Sequence, residues 1–109
     1  MKEYDPNDAV LFIYNNAPKY AKAKGQLAEL EAYKHSLKAI KASKSEATSM
    51  TAKEMEAYAS AEYQELCKGI GTATEIAEAL KWQLEAAKMR WETWRTEQAN
   101  NRQIEKITR

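Results

Sequence analysis

One register constrains this chain more than anything else in it. Leu66, Ile70, Ala73, Ala77, Leu80, Leu84, Ala87, Trp91 and Trp94 follow one another four and three residues apart without a miss. An α-helix turns once every 3.6 residues, so this spacing keeps them all on one side of a helix and defines a heptad seam. Ser60 offers a start signal just ahead of the seam. Continuous from Ser60 to Ile104, such a helix would measure roughly 65 Å at 1.5 Å per residue. A single domain of 109 residues does not cover a rod of that length, so part of it is expected to project or to meet another chain. Gly69 and Gly71, in "KGIGTAT", lie near its beginning, where they can bend or break it.

Composition agrees with a helical chain. Three glycines and two prolines are too few for a turn-rich sheet protein, and 44% apolar residues support one domain with a modest core. The single Cys67 cannot form an internal disulfide, which favours a reduced setting. No run of eighteen apolar residues occurs, and "MKEYDPND" has none of the features of a secretion signal. Neither a membrane span nor export is expected.

Before the seam, two helices are expected. In "DPNDAVLFIYNN", Asp5 is a good N-cap, Pro6 suits the first helical position and Asp8 adds negative charge to the first turn. The apolar run Ala9 to Tyr14 marks this short helix as buried, Asn15 and Asn16 can stop it, and Pro18 restarts a second one reaching about Ser43. That second helix presents Tyr20, Ala23, Leu27, Leu30, Tyr33, Leu37 and Ile40 on one face. "SKSEATSM" reads as a loop. Thr51 and Glu54 then have capping-box spacing, so a short helix is expected from "TAKE". The chain therefore reads as one all-α domain: N-terminal helices over 1–44, loop and short helix over 45–60, and the long heptad-patterned helix over 61–105. The implied architecture is a long antiparallel helical hairpin with an extended C-terminal helix, in an oligomeric assembly.

The segment "LKWQLEAAKMRWETWR" explains the expectation of an oligomer. On a helical projection Leu80, Leu84, Ala87, Trp91 and Trp94 share one side, while Trp82, Ala86 and Met89 fall on the other with Ala79. Leu80, Leu84, Trp91 and Trp94 form the core seam of the hairpin. The second face needs a cover of its own, because an exposed Trp–Met–Ala stripe is unfavourable in water. A second copy of the chain is the simplest cover. Burial of both faces inside a compact bundle and base stacking by Trp82 are the alternatives.

Charge is segregated although the total is only +1. Residues 19–44 carry seven lysines against two glutamates, residues 45–80 seven glutamates against two lysines, and residues 81–109 seven bases against four acids. Lys34, Lys38 and Lys41 stand at i, i+4 and i+7, with Lys44 and His35 nearby. A repeated set of ammonium groups can track phosphates without reading bases. The plainer reading is a solvated face paired with the following acidic block. Oligomerisation would turn several weak stripes into one strong surface.

Catalytic signatures are missing. The glycines of "KGIGTAT" do not make a phosphate loop. His35 is the only histidine, so a triad or histidine-based metal site lacks a second member. Cys67 beside the seam reads as packing. No enzyme activity, metal or cofactor is expected.

The layout of "LFIYNNAPKYAKAKGQLAELEAYKHSLKA", a polar gap, "EMEAYASAEYQELCKGI" and "LKWQLEAAKMRWETWR…NNR" resembles the phage recombination mediator family typified by UvsY of the T-even phages. The likeness spans nearly the whole chain and lies in helix order, lengths and scattered residues rather than one motif. It implies a small helical protein that assembles into ring-like homo-oligomers and works in the cytoplasm of the infected bacterial host. It also implies binding to single-stranded DNA, loosening of the single-strand-binding protein coat, and loading of a recombinase or annealing protein. The family's DNA-contacting residues lie near an "LKAR" stretch, which here reads "LKAI", Leu37 to Ile40. Lys38 matches, Ile40 replaces the arginine, and Lys41 follows. On this reading Lys34, Lys38, Lys41 and Lys44 hold the DNA backbone, and Trp82, Ala86 and Met89 form the oligomer interface. The competing expectation is a helical protein-binding adaptor or inhibitor of a host nuclease or defence factor, with no DNA affinity, in which the acidic block imitates nucleic acid. A plain coiled-coil module is the third.

Overall fold

The computed structural model describes residues 3–108, and all regular structure among them is helical. The elements are α1 (Pro6–Ser43), α2 (Met50–Ala59) and α3 (Ala61–Thr108). No helix among the described residues is long and apolar enough to cross a membrane.

α1 corrects the expectation of a short first helix ending at Asn15 and Asn16. It starts as expected, with the Asp5 carboxylate accepting the Asn7 amide at 2.9 Å, but it runs through Pro18 without interruption. The physical reason is the phase of its packing face. Ala9, Ile13, Asn16, Tyr20, Ala23, Leu27 and Leu30 keep three- and four-residue spacing across the proline, and all are buried or half-buried. Pro18 lies on the exposed side. Its missing N–H leaves the Tyr14 carbonyl without a helical donor, and Tyr14 is itself exposed, so water can serve it. Asn16 stays helical and its side-chain amide donates to the Phe12 carbonyl at 2.8 Å.

The loop after Ser43 is where the polar stretch placed it. The cap of α2 is Ser49, not Thr51: its hydroxyl accepts the Ala52 amide at 3.1 Å, the usual N-cap to third-residue bond. Ser60 then joins α2 to α3. Its hydroxyl donates to the Ala57 carbonyl at 2.8 Å and accepts the Tyr63 amide at 3.2 Å, closing one helix and opening the next. α3 continues through Gly69 and Gly71.

The chain divides into two compact units. One consists of the described residues up to Tyr20 with those from Ala79 onward; the other is Ala21–Glu78. In the first, α1 and α3 run antiparallel, with Tyr4 against Trp94 and Ala9 beside Ala87. Leu80, Leu84, Ala87, Trp91 and Trp94 are all half-buried, as the seam requires, whereas every residue from Arg95 to Thr108 is exposed. In the second unit, Ala23 and Leu30 of α1 line one hollow with Ala73 and Ile76 of α3. Lys34 and Lys41 reach Tyr63 and Glu62 further along, so this pairing is antiparallel too.

The core is thin. Its buried members are Ala9, Ala23, Leu37, Ala57, Tyr63 and Ala77, and no large side chain among the described residues is fully buried. Alanines at the contact line let helices approach closely but bury little apolar area each. A chain built this way gains from further burial against a partner.

Candidate nucleic-acid interface

The basic stripe of α1 lies entirely in the second unit, and its lysines have divided tasks. The expected packing face included Tyr33 and Ile40, but these are 50% and 43% exposed. Lys34 and Lys41 take the seam positions one residue later and are half-buried. Their aliphatic stems cover the seam while the ammonium groups reach its edge. Lys34 Nζ lies 6.0 Å from the Tyr63 ring centroid, and Lys41 Nζ meets Glu62 Oε1 at 2.6 Å. Lys41, with Lys44 contributing at longer range, holds the Glu62 carboxyl below its ordinary value. Lys44 is exposed at the end of α1.

Lys38 faces α2 instead. Its Nζ lies 4.7 Å from the centroid of Tyr58, a ring that remains 41% exposed and meets Tyr63 edge-on at 5.2 Å. Its interaction with the Tyr58 side chain keeps the Lys38 ammonium above the ordinary lysine value. Partial burial opposes this, and Glu54 and Tyr63 add to it. The group is therefore a permanent cation at neutral pH.

Beside it opens a cleft of about 440 Å³, walled by His35, Lys38, Ala39, Ala42 and Ser43 of α1 and by Met50, Lys53 and Glu54 of α2. α2 is seated by Ala57, which is 0% exposed. A hydrogen bond from the Ser45 hydroxyl to the Glu56 carboxylate and one from the Gln64 amide to the Tyr58 carbonyl hold its C-terminal half. The cleft thus combines two ammonium groups, an imidazole and one carboxylate with a thioether, Met50, that is 69% exposed. Cations here can hold a phosphodiester, and the apolar wall can take a sugar or base edge.

Of the four lysines of the expected stripe, the structure places one, Lys38, in this cleft. Lys53, Met50 and Tyr58 belong to the same surface and carry no spacing signal. What joins them to Lys38 is the return of α2 against α1, which only the fold reveals.

The residues expected at an oligomer interface lie in the first unit. Trp82 and Met89 are 59% and 52% exposed, and Ala86 is exposed between them. Lys81 Nζ stands 5.5 Å from the Trp82 ring centroid. On the seam, Arg95 stacks over Trp91 at 5.0 Å and Arg90 over Tyr4 at 4.6 Å. No cluster of three or more His, Cys, Asp or Glu among the described residues is placed to hold a metal ion.

No family model, no curated protein and no solved structure matches this chain.

Proposed function

We propose that this protein is a recombination mediator of the UvsY type, a self-associating helical protein that binds single-stranded DNA. It would act in the cytoplasm of a phage-infected bacterium, on DNA coated by single-strand-binding protein, to help load a recombinase or annealing protein. The observation that carries the reading is the cleft between α1 and α2, where Lys38 and Lys53 stand beside exposed Met50 and the Lys38–Tyr58 pair. Backbone-directed cations next to apolar and aromatic surface suit a flexible single strand held without sequence preference. Lys34 and Lys41, engaged with Tyr63 and Glu62, act by supporting this surface, and Lys44 extends it. Self-association through Trp82, Ala86 and Met89 repeats the cleft along one strand, so that weak single sites add. Anisotropy of labelled oligo(dT) tests the reading. Binding at low salt that Lys38→Ala with Lys53→Ala weakens severalfold is expected; no binding at low salt by an oligomeric protein overturns it.

A second reading, a protein-binding adaptor or inhibitor of a host nuclease or defence factor, draws on the exposed Trp82–Met89 face of α3. It predicts a stoichiometric complex with another protein and no oligo(dT) affinity. The acidic block supports it less, since Glu62 is bound to Lys41 and Glu56 to Ser45.

A further inference from the structure

One side chain of the α1–α2 cleft has no task in the reading above. His35 lines it together with Lys38 of α1 and with Lys53 and Glu54 of α2. Residues three apart share a helix face, so His35 and Lys38 lie side by side on the α1 wall. His35 is exposed. Among the described residues no hydrogen bond or ion pair engages its ring or the Lys53 ammonium. The imidazole thus neither fills the core nor ties α2 to α1.

The charged groups around it come from both helices. On α1, Lys38 lies one turn ahead and Glu31 one turn behind, while Lys34, its neighbour in sequence, is drawn to Tyr63 on the seam. On α2, Lys53 and Glu54 stand across the cleft. The Tyr58 side chain first, and Glu54 with it, favours the Lys38 ammonium. Glu31 sits at i−4 from His35 and is exposed, and an ion pair of that kind is weak, so it leaves an imidazolium free to meet another anion. The lining itself holds two ammonium groups and one carboxylate. Its net charge is therefore one positive with the imidazole neutral and two positive with it protonated. Imidazole is the side chain whose ordinary charge change falls between roughly pH 5 and 8.

We infer that His35 is a phosphate ligand of this cleft that acts only when protonated, so that pH sets how tightly the cleft holds a strand; this rests on the DNA-binding reading above. A phosphodiester seated beside His35 and Lys38 is met by a second N–H donor once the ring carries its proton. Binding then takes up a proton. By linkage, affinity rises as the pH falls, with a slope of log K against pH no steeper than about −1 for each occupied cleft.

Oligo(dT) anisotropy at constant ionic strength from pH 8 to pH 6 tests this, because neither thymine nor a phosphodiester changes charge over that range. The wild-type protein should bind severalfold more tightly at pH 6. Its slope of log K against log salt concentration should steepen by about 0.7 for each cleft the strand occupies. His35→Gln should bind as the wild type does at pH 8 and lose the pH dependence. His35→Lys, charged throughout, should bind at pH 8 as tightly as the wild type does at pH 6. Both variants should keep the helical circular-dichroism signal, since the side chain is exposed. A wild-type affinity unchanged between pH 8 and pH 6, or full pH dependence retained in His35→Gln, would overturn the role of His35 and leave the DNA reading standing. No binding at low salt at either pH, by an oligomeric protein, would overturn the DNA reading and this role with it.

Discussion

Lys41 of α1 and Glu62, in the first turn of α3, meet at 2.6 Å, and the lysine side chain is the more covered of the two, 27% exposed against 66%. The pair ties the end of α1 to the start of α3. Because Lys41 holds the Glu62 carboxyl below its ordinary value of 4.5, the unfolded chain takes up this proton before the folded one does. The pair therefore contributes stability above pH 4.5 and loses it as the pH falls through the lowered folded value. Glu62→Gln is expected to lower the melting temperature slightly at pH 7, and the gap should close toward pH 3. Added salt should also shrink it, since both ends reach solvent. A gap unchanged from pH 7 to pH 3 would assign the effect to something other than this ion pair.

Gly25, Gly69 and Gly71 sit within helices, and a Cβ added at any of them meets nothing within 4 Å. Glycine lowers helix stability by about 1 kcal/mol relative to alanine. Each Gly→Ala variant should gain close to that amount in urea denaturation, and a Gly69→Ala, Gly71→Ala double variant nearly twice as much. A loss at either position would show that the helix uses the glycine for a close approach by another chain.

The long seam is legible in sequence because its members, from Leu66 to Trp94, are apolar or alanine and lie in one unbroken phase. The structure buries or half-buries every one of them. The exposed face of Trp82 and Met89 follows from the same projection. Two readings fail for physical reasons. Asn15 and Asn16 are local stop signals and Pro18 a restart signal, yet the phase from Ala9 to Leu30 passes through them, and tertiary packing overrides propensity. Tyr33 and Ile40 attract assignment to the core because they are apolar. Lys34 and Lys41 displace them because their partners, Tyr63 and Glu62, lie on another helix. No pattern within α1 can reveal that.

Pro18 gives the matching stability test. It is exposed in the body of α1, where proline is disfavoured by about 3 kcal/mol relative to alanine. Pro18→Ala restores a donor for the Tyr14 carbonyl. It should raise stability by a large part of that amount, read from chemical denaturation with an unchanged helix signal. A destabilised variant would mean that the proline matches a local distortion of α1.

Tyr4 packs its ring between Trp94, 6.5 Å away edge-on, and Arg90, 4.6 Å away, while its hydroxyl is buried without a hydrogen-bond partner. An unsatisfied buried hydroxyl costs about 1–3 kcal/mol. Tyr4→Phe should therefore leave stability unchanged or raise it, whereas Tyr4→Ala should lower it by about 1–2 kcal/mol through lost ring contacts. Equal losses in both variants would show that the hydroxyl has a partner after all.

The division of labour among the lysines yields the most discriminating DNA measurement. Each phosphate neutralised on a single strand contributes about −0.7 to the slope of log K against log salt concentration. Lys38→Ala with Lys53→Ala removes two cations from one cleft, so the slope for oligo(dT) should fall in magnitude by about 1.4. Lys34→Met keeps a stem on the seam and removes only an ammonium already placed over Tyr63. It should leave the slope nearly unchanged and weaken binding little. Should Lys34→Met flatten the slope as much as the cleft variant does, the strand must run along the α1 lysine stripe and not through the cleft beside α2.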